Sequence, residues 1–152
     1  MILFISCNNE VSTENENLED TVVTEEVAVF APDKLSWISE YDTVKNEFHL
    51  KQQRPTNPDS LTAATLIKDL NEAWENVKLE LVKTSNDTLY VSIPDSEFLG
   101  QQMGSAGAQA YMASTTYNLT ELKGIKYVNY HMQPGDHVSP GTFSRKSFEN
   151  YH

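Results

Sequence analysis

The sequence predicts an α+β fold: a two-layer sandwich with two helices on one face of a small mixed β-sheet, in the order β-α-β-β-α-β. Three observations carry this reading. Apolar residues recur at helical spacing twice, over residues 59–77 and 105–123. Between them two runs alternate with period two, residues 77–81 and 88–93, and Ser85-Asn86-Asp87 stands where a hairpin turn is needed. A last alternating run, residues 125–132, follows the second helix. A hairpin flanked by two helices buries its apolar face most simply when both helices lie on the same side.

Each element has its own signal. Val27–Phe30 is a short β-prone run closed by Pro32-Asp33, and Thr43–Leu50 is a second candidate strand, with Val44, Phe48 and Leu50 apolar. Two prolines fix a loop over Arg54-Pro55-Thr56-Asn57-Pro58. The first helix starts with Asp59 or Ser60 as cap. It places Leu61, Ala64, Ile67 or Leu70, Ala73 or Trp74, and Val77 inward, with Lys68, Asp69, Glu72 and Glu75 outside. Val77, Leu79 and Leu81 then alternate with Lys78 and Glu80 as a half-buried strand. Asn and Asp tolerate left-handed backbone, so residues 85–87 turn the chain into Thr88–Ile93, with Leu89, Val91 and Ile93 on one face. Pro94-Asp95 ends that strand. Gly100, Gly104 and Gly107 make a flexible approach to the second helix, capped by Ser105. Its inward face is Ala106, Ala110, Ala113 and Tyr117, a small-residue surface for close packing. Lys123-Gly124 stops it, with Gly124 supplying a positive φ angle. Ile125–Met132 is the last clear strand, Pro134-Gly135-Asp136 a turn, and Val138–Phe148 a short returning strand or extended tail.

Composition bounds the function. The 152 residues carry a formal net charge of −11 and one cysteine. That length is one domain, or one domain and a tail. A single cysteine excludes a disulfide framework and a multi-cysteine zinc site. The acidic balance argues against nucleic acid, whose phosphates call for clustered Lys and Arg. The charge is also uneven. Residues 1–26 hold seven acids and no Lys or Arg, which leaves the rest of the chain at −4 (22 acids less 7, against 11 bases). The acidic front is too poor in apolar area to offset its ordering entropy, and it is expected to be a flexible tether.

The residues before this tether give it a purpose. Met1-Ile2-Leu3-Phe4-Ile5-Ser6 is an apolar run ending in a small residue directly before Cys7. It resembles the end of a bacterial lipoprotein signal peptide, in which the cysteine receives lipid. The resemblance implies a remnant of a signal peptide at 1–6. It also implies lipid attachment at Cys7, a tether at 7–26 and a folded domain at 27–152. Two acyl chains on Cys7 would hold the protein stably on a membrane. A flexible linker of about 20 residues then spans roughly 25 Å.

Two stretches of the body are similar to a known family. Leu89-Tyr90-Val91-Ser92-Ile93-Pro94-Asp95-Ser96-Glu97-Phe98-Leu99 looks like its strand followed by an "EF" signature. The residues from Ala113 to Val128, through Tyr117-Asn118-Leu119-Thr120-Glu121-Leu122-Lys123-Gly124-Ile125, look like its second helix running into a turn. The family is the GerMN domain of sporulation and spore-germination lipoproteins, and the resemblance covers roughly residues 27–133. It implies a non-enzymatic, often lipid-anchored envelope module. The matching positions are core and turn positions and transfer no binding residues.

The chemistry-bearing residues form no recognised motif. His131, Asp136 and His137 cluster around a turn, but no HExxH or CxxC spacing accompanies them, so no metal and no cofactor is expected. Gly104-Ser105-Ala106-Gly107 lacks the G-x-S-x-G form of a nucleophile elbow. Gly100, Gly104 and Gly107 lack the G-x-G-x-x-G form of a dinucleotide loop. Asp69, Glu72 and Glu75 solvate a helix face. Asn86-Asp87-Thr88 and Asn118-Leu119-Thr120 match a glycosylation pattern but read as turn and helix-end residues, and Trp37 and Trp74 read as core. The expected function is a non-enzymatic, lipid-anchored module that binds a protein or cell-wall partner in a bacterial envelope, in the periplasm or at the outer surface. The alternative is a small periplasmic hydrolase using His131 or His137.

Overall fold

The computed structural model describes residues 32–151. Cys7, the acidic stretch to Glu26, the Val27–Phe30 run and His152 lie outside the described residues. The rest has the expected α+β class and mixed sheet, in eight principal elements. These are β1 (Trp37–Asp42), β2 (Glu47–Gln52), α1 (Ala63–Ala73), β3 (Glu80–Ser85), β4 (Thr88–Ile93), α2 (Gly104–Leu119), β5 (Tyr127–Met132) and β6 (Gly141–Phe143).

The main sheet has the order β3-β4-β5-β6. β3 and β6 are antiparallel to their neighbours, while β4 and β5 run parallel, with Leu89 opposite Val128 and Val91 opposite Tyr130. Parallel strands need a long crossover, and α2 supplies it. The period-two reading of the central strands holds: Leu89, Val91, Ile93, Val128, Tyr130 and Met132 are all buried on one face. Tyr90, Ser92, Asn129 and His131 lie on the other, with Lys83 Nζ 4.8 Å from the Tyr90 ring centre. Both helices pack on the buried face and share one core with it.

The first strand region departs from the sequence reading. Thr43–Leu50 was expected to be extended, yet residues 43–46 turn the chain back and the strands are β1 and β2. Asp42 Oδ1 accepts from the N–H groups of Val44 (2.8 Å) and Lys45 (3.0 Å), and Asn46 takes a φ of 58°. An Asx turn followed by a left-handed Asn makes a tight reversal. Val44, an apolar signal in the sequence, sits at the tip, 93% exposed.

Both ends of α1 move. Thr62, not Asp59 or Ser60, is the cap: its hydroxyl accepts from the Thr65 N–H, after a separate 3-10 turn over Pro58–Ser60. The helix ends at Ala73 rather than Val77. Asn71 explains why no strand begins at Val77. Its carboxamide accepts from the Leu79 N–H (2.7 Å) and donates to the Leu79 carbonyl (2.9 Å), taking both backbone groups that a sheet neighbour would use. β3 therefore starts at Glu80, and its six residues, Leu81 included, are exposed.

α2 is buried almost all round. Ala110 and Ala113 face inward as expected, but Tyr111, Met112, Ser114, Thr115, Thr116, Asn118 and Leu119 are buried too, while Ala106 is exposed. The cause is the β1–β2 hairpin, which covers the side of α2 away from the sheet. On the sheet side the Thr116 hydroxyl meets the Tyr130 hydroxyl at 3.0 Å. On the hairpin side Ser39 Oγ donates to the Ala110 carbonyl at 3.0 Å. Asn118, wholly buried, accepts on Oδ1 from the Ser36 N–H (3.0 Å) and the Trp37 N–H (3.1 Å). It donates from Nδ2 to the Trp37 carbonyl (2.7 Å) and the Ser114 carbonyl (2.8 Å). The helix stops at Leu119, earlier than Lys123, and a turn carries the chain to Gly124, whose φ is +82°.

Two outcomes follow. Asn118→Ala leaves buried backbone groups of Ser36 and Trp37 without partners, and urea denaturation should find it destabilised by about 3 kcal/mol. Gly124→Val meets open space, so its cost is backbone strain alone, ~1–2 kcal/mol by the same measurement.

Candidate functional site

Among the described residues, an apolar concavity lies where the hairpin meets the start of α2. Tyr41 and Phe48 come from β1 and β2, Trp74 to Val77 from the end of α1, Phe98 and Met103 from the segment before α2, and Gly107 and Ala110 from α2 itself. The volume is about 430 Å³, within the range of small-ligand and side-chain pockets. Its walls are mostly apolar, with Ser39 and Asn76 polar, and among the described residues Glu75 is the charged one on its rim. Tyr41 and Phe48 are cross-strand partners with ring centres 5.0 Å apart. Trp74 stands edge-on to buried Tyr111 at 5.2 Å. Tyr41 is 48% exposed at the lip.

Local backbone sets the cleft's far wall. Residues Phe98–Gln102 form a π-helical turn, closed by the Met103 N–H on the Phe98 carbonyl at 2.9 Å. The turn is held from behind by the loop after β5: the His137 N–H donates to the Gly100 carbonyl at 3.1 Å. A Cβ on Gly135 would lie 2.5 Å from Gly100 Cα, so the two backbones touch. Gly100 thus serves close packing against Gly135, while Gly104 takes a positive φ of 73° with open space around it, where the sequence suggested one flexible approach.

The histidines do not converge. His131 is exposed on the outer face of β5 opposite Ser92. His49 Nε2 lies 3.7 Å from Glu40 Oε2 on the hairpin. His137 Nδ1 lies 3.0 Å from Ser105 Oγ, beside a shallow apolar recess lined by Met112, Phe143 and Phe148. The sequence reading set Ser105 aside on motif grounds, and no sequence signal joins it to a residue 32 positions later. Among the described residues no carboxylate bonds His137, and no three His, Cys, Asp or Glu side chains gather as a metal site. No described helix is long and apolar enough to cross a membrane. Cys7 falls outside the described residues.

A second cluster joins the two ends of the domain. The Trp37 indole N–H donates to Glu121 Oε1 at 2.7 Å, and Arg145 pairs with the same oxygen. Arg145 Nε also donates to Thr120 Oγ1 at 2.8 Å, and its guanidinium lies 5.4 Å from the Trp37 ring and 5.1 Å from the Tyr117 ring. Burial pushes the Glu121 carboxyl pKa up, but the Trp37 and Arg145 hydrogen bonds and the Arg145 charge outweigh it, and the group is held below the ordinary carboxylate range. A depressed folded-state pKa means stability present above the unfolded value, about 4.3, and lost as pH falls through the folded one. Thermal melts of Glu121→Gln should therefore lose less stability than the parent below about pH 4.3, while the two run parallel near neutrality.

No protein-family model matches the chain, and no curated protein matches it in sequence. Among solved structures it is similar to the tandem GerMN domains of the sporulation protein GerM from Bacillus subtilis, at 15% identity and a TM-score of 0.45. That match covers 74% of this chain and 45% of the other, so the chain spans less than half of that protein's solved length. The name is that of the family which Leu89–Leu99 and Ala113–Val128 resemble.

Proposed function

We propose that this protein is a non-enzymatic binding module of a bacterial cell envelope, lipid-anchored through Cys7, that receives an apolar group of a protein or cell-wall partner in the cleft between Tyr41, Phe48, Trp74, Phe98 and Met103. The observation that carries the reading is the cleft: aromatic, accessible and set between the hairpin, the end of α1, the π turn and the start of α2. Such a surface offers contact area and no reacting group. Ser6-Cys7, between an apolar run and an acidic segment, motivates the anchor. The acidic charge of the chain disfavours nucleic acid as the partner.

The Ser105–His137 contact favours one other reading, a small hydrolase. A serine nucleophile needs a base that is itself oriented by a third group. Against a chromogenic acetate ester, the parent, Ser105→Ala and His137→Gln should be equally inactive. Hydrolysis by the parent that both variants lose would move the hydrolase reading to first place.

Binding of the neutral dye N-phenylnaphthylamine checks the cleft directly. Tyr41→Asp and Phe98→Ala should each weaken it roughly tenfold, the ~1.4 kcal/mol of one lost aromatic contact. Fatty-acid-analogue labelling checks the anchor: Cys7→Ser should lose the label, and equal labelling of parent and variant would sink it.

A further inference from the structure

We propose that a recess beyond the C-terminal end of α2 binds a single phosphodiester group carried on a polyol, as a lipid headgroup or a soluble glycerophosphodiester presents it. The recess shares no lining residue with the aromatic cleft, which lies at the start of the same helix, and the inference is independent of that cleft.

The first support is where the cations gather. The chain has 11 Lys and Arg against 22 acids, yet Lys126, Arg145 and Lys146 line one recess of about 430 Å³. Among the described residues no carboxylate lines it with them. Strand pairing explains the grouping. β6 lies antiparallel to β5, with Phe143 opposite Val128. Continued past the strand end, that register brings Arg145 beside Lys126 and Ser144 beside Tyr127, and all four line the recess. The next support is how much of the charge is free. Arg145 is held in place by Thr120, the Tyr117 carbonyl and Glu121, which leaves its Nη1 without a hydrogen-bond partner among the described residues. Lys126 Nζ lies 3.8 Å from Asp87, a loose pair with the lysine 74% exposed. Lys146 is exposed and has no ion pair among the described residues. Three cations, two of them faced by Glu121 and Asp87, leave one positive charge, the complement of the single negative charge of a phosphodiester.

The rest of the lining selects the ligand. Two ammonium groups and a guanidinium edge offer more donors than the two oxygens of a carboxylate can use, and a tetrahedral phosphate has four. A bare anion would leave most of the volume empty. Tyr127, 42% exposed, and Ile125 offer the carbon face that the CH groups of a polyol cover. A polyanion is disfavoured, because each further phosphate would meet a chain of net charge −11 without another cation to receive it. One phosphodiester with a short polyol on it meets all three conditions.

The test uses the full chain with Cys7→Ser throughout, so that no acyl chain carries it to a membrane. Calorimetry at low salt compares glycerophosphoglycerol, inorganic phosphate and acetate. Cosedimentation compares phosphatidylcholine vesicles with and without phosphatidylglycerol. Glycerophosphoglycerol should bind more tightly than inorganic phosphate, and acetate most weakly. Lys126→Gln and Lys146→Glu, both at exposed side chains, should each weaken the diester by about tenfold at an unchanged melting temperature. Tyr127→Ser should weaken the diester several-fold and leave inorganic phosphate as it was. Binding of the soluble diester supports the inference and assigns a free ligand. Binding only to phosphatidylglycerol vesicles, lost in Lys146→Glu, supports it and assigns a lipid headgroup. Acetate as tight as the diester, equal binding by the parent and both lysine variants, or no binding to any probe overturns it. N-phenylnaphthylamine affinity should be the same in all of these variants, so failure here leaves the cleft untouched.

Discussion

One carboxamide holds the two halves of this fold together. Asn118 uses both lone pairs and both N–H groups, and three of its four bonds reach Ser36 and Trp37, over eighty residues earlier. Burial of an amide is costly unless every polar atom is matched. Here every one is matched, so the position tolerates neither a slip of the hairpin along α2 nor a rotation of the helix. The register of β1 on α2 follows from it, and with that register come the Ser39 bond to Ala110 and the seat of Trp37 against Tyr117, 4.9 Å between ring centres.

The remaining architecture builds outward from α2. The helix crosses between two parallel strands, which already commits one side to the sheet. The hairpin commits the other. A helix enclosed on both sides cannot show a clean apolar stripe, because residues all round it must be small, apolar or internally hydrogen-bonded. Ser114 and Thr116 meet this demand by donating or accepting within reach, Ser114 Oγ to the Tyr111 carbonyl and Thr116 Oγ1 with the Tyr130 hydroxyl. The Glu121–Arg145 cluster then closes the C-terminal turn over the same helix end.

The cleft is a consequence of this enclosure. The hairpin brings Tyr41 and Phe48, paired across its strands, to the space beside Gly107 and Ala110 at the start of α2. α1 stops at Ala73 because Asn71 captures Leu79, so Trp74 is turned toward the same gap. The π turn before α2 brings Phe98 and Met103 to the other side. Four separate chain segments thus leave aromatic side chains around one space that none of them fills.

The sequence by itself determined the elements whose cause is local. Leu89, Val91 and Ile93, and then Val128, Tyr130 and Met132, alternate so regularly that both strands and their buried faces are legible, and Asn86 and Gly124 mark positive-φ turns that the backbone adopts. The acidic front and Ser6-Cys7 are likewise plain in the residues. Tertiary structure decided what depends on partners distant along the chain. β1 reads Trp-Ile-Ser-Glu-Tyr-Asp, without clear alternation, and becomes a strand because Asn118 and α2 receive it. Asn118 itself looks like a helix-end or glycosylation residue until Trp37 stands against it. The cleft has no sequence signature at all, since Tyr41, Trp74 and Phe98 are each an ordinary aromatic in a different segment. Local patterns report the free energy of short stretches of chain, whereas a cavity is set by where whole elements stop filling space.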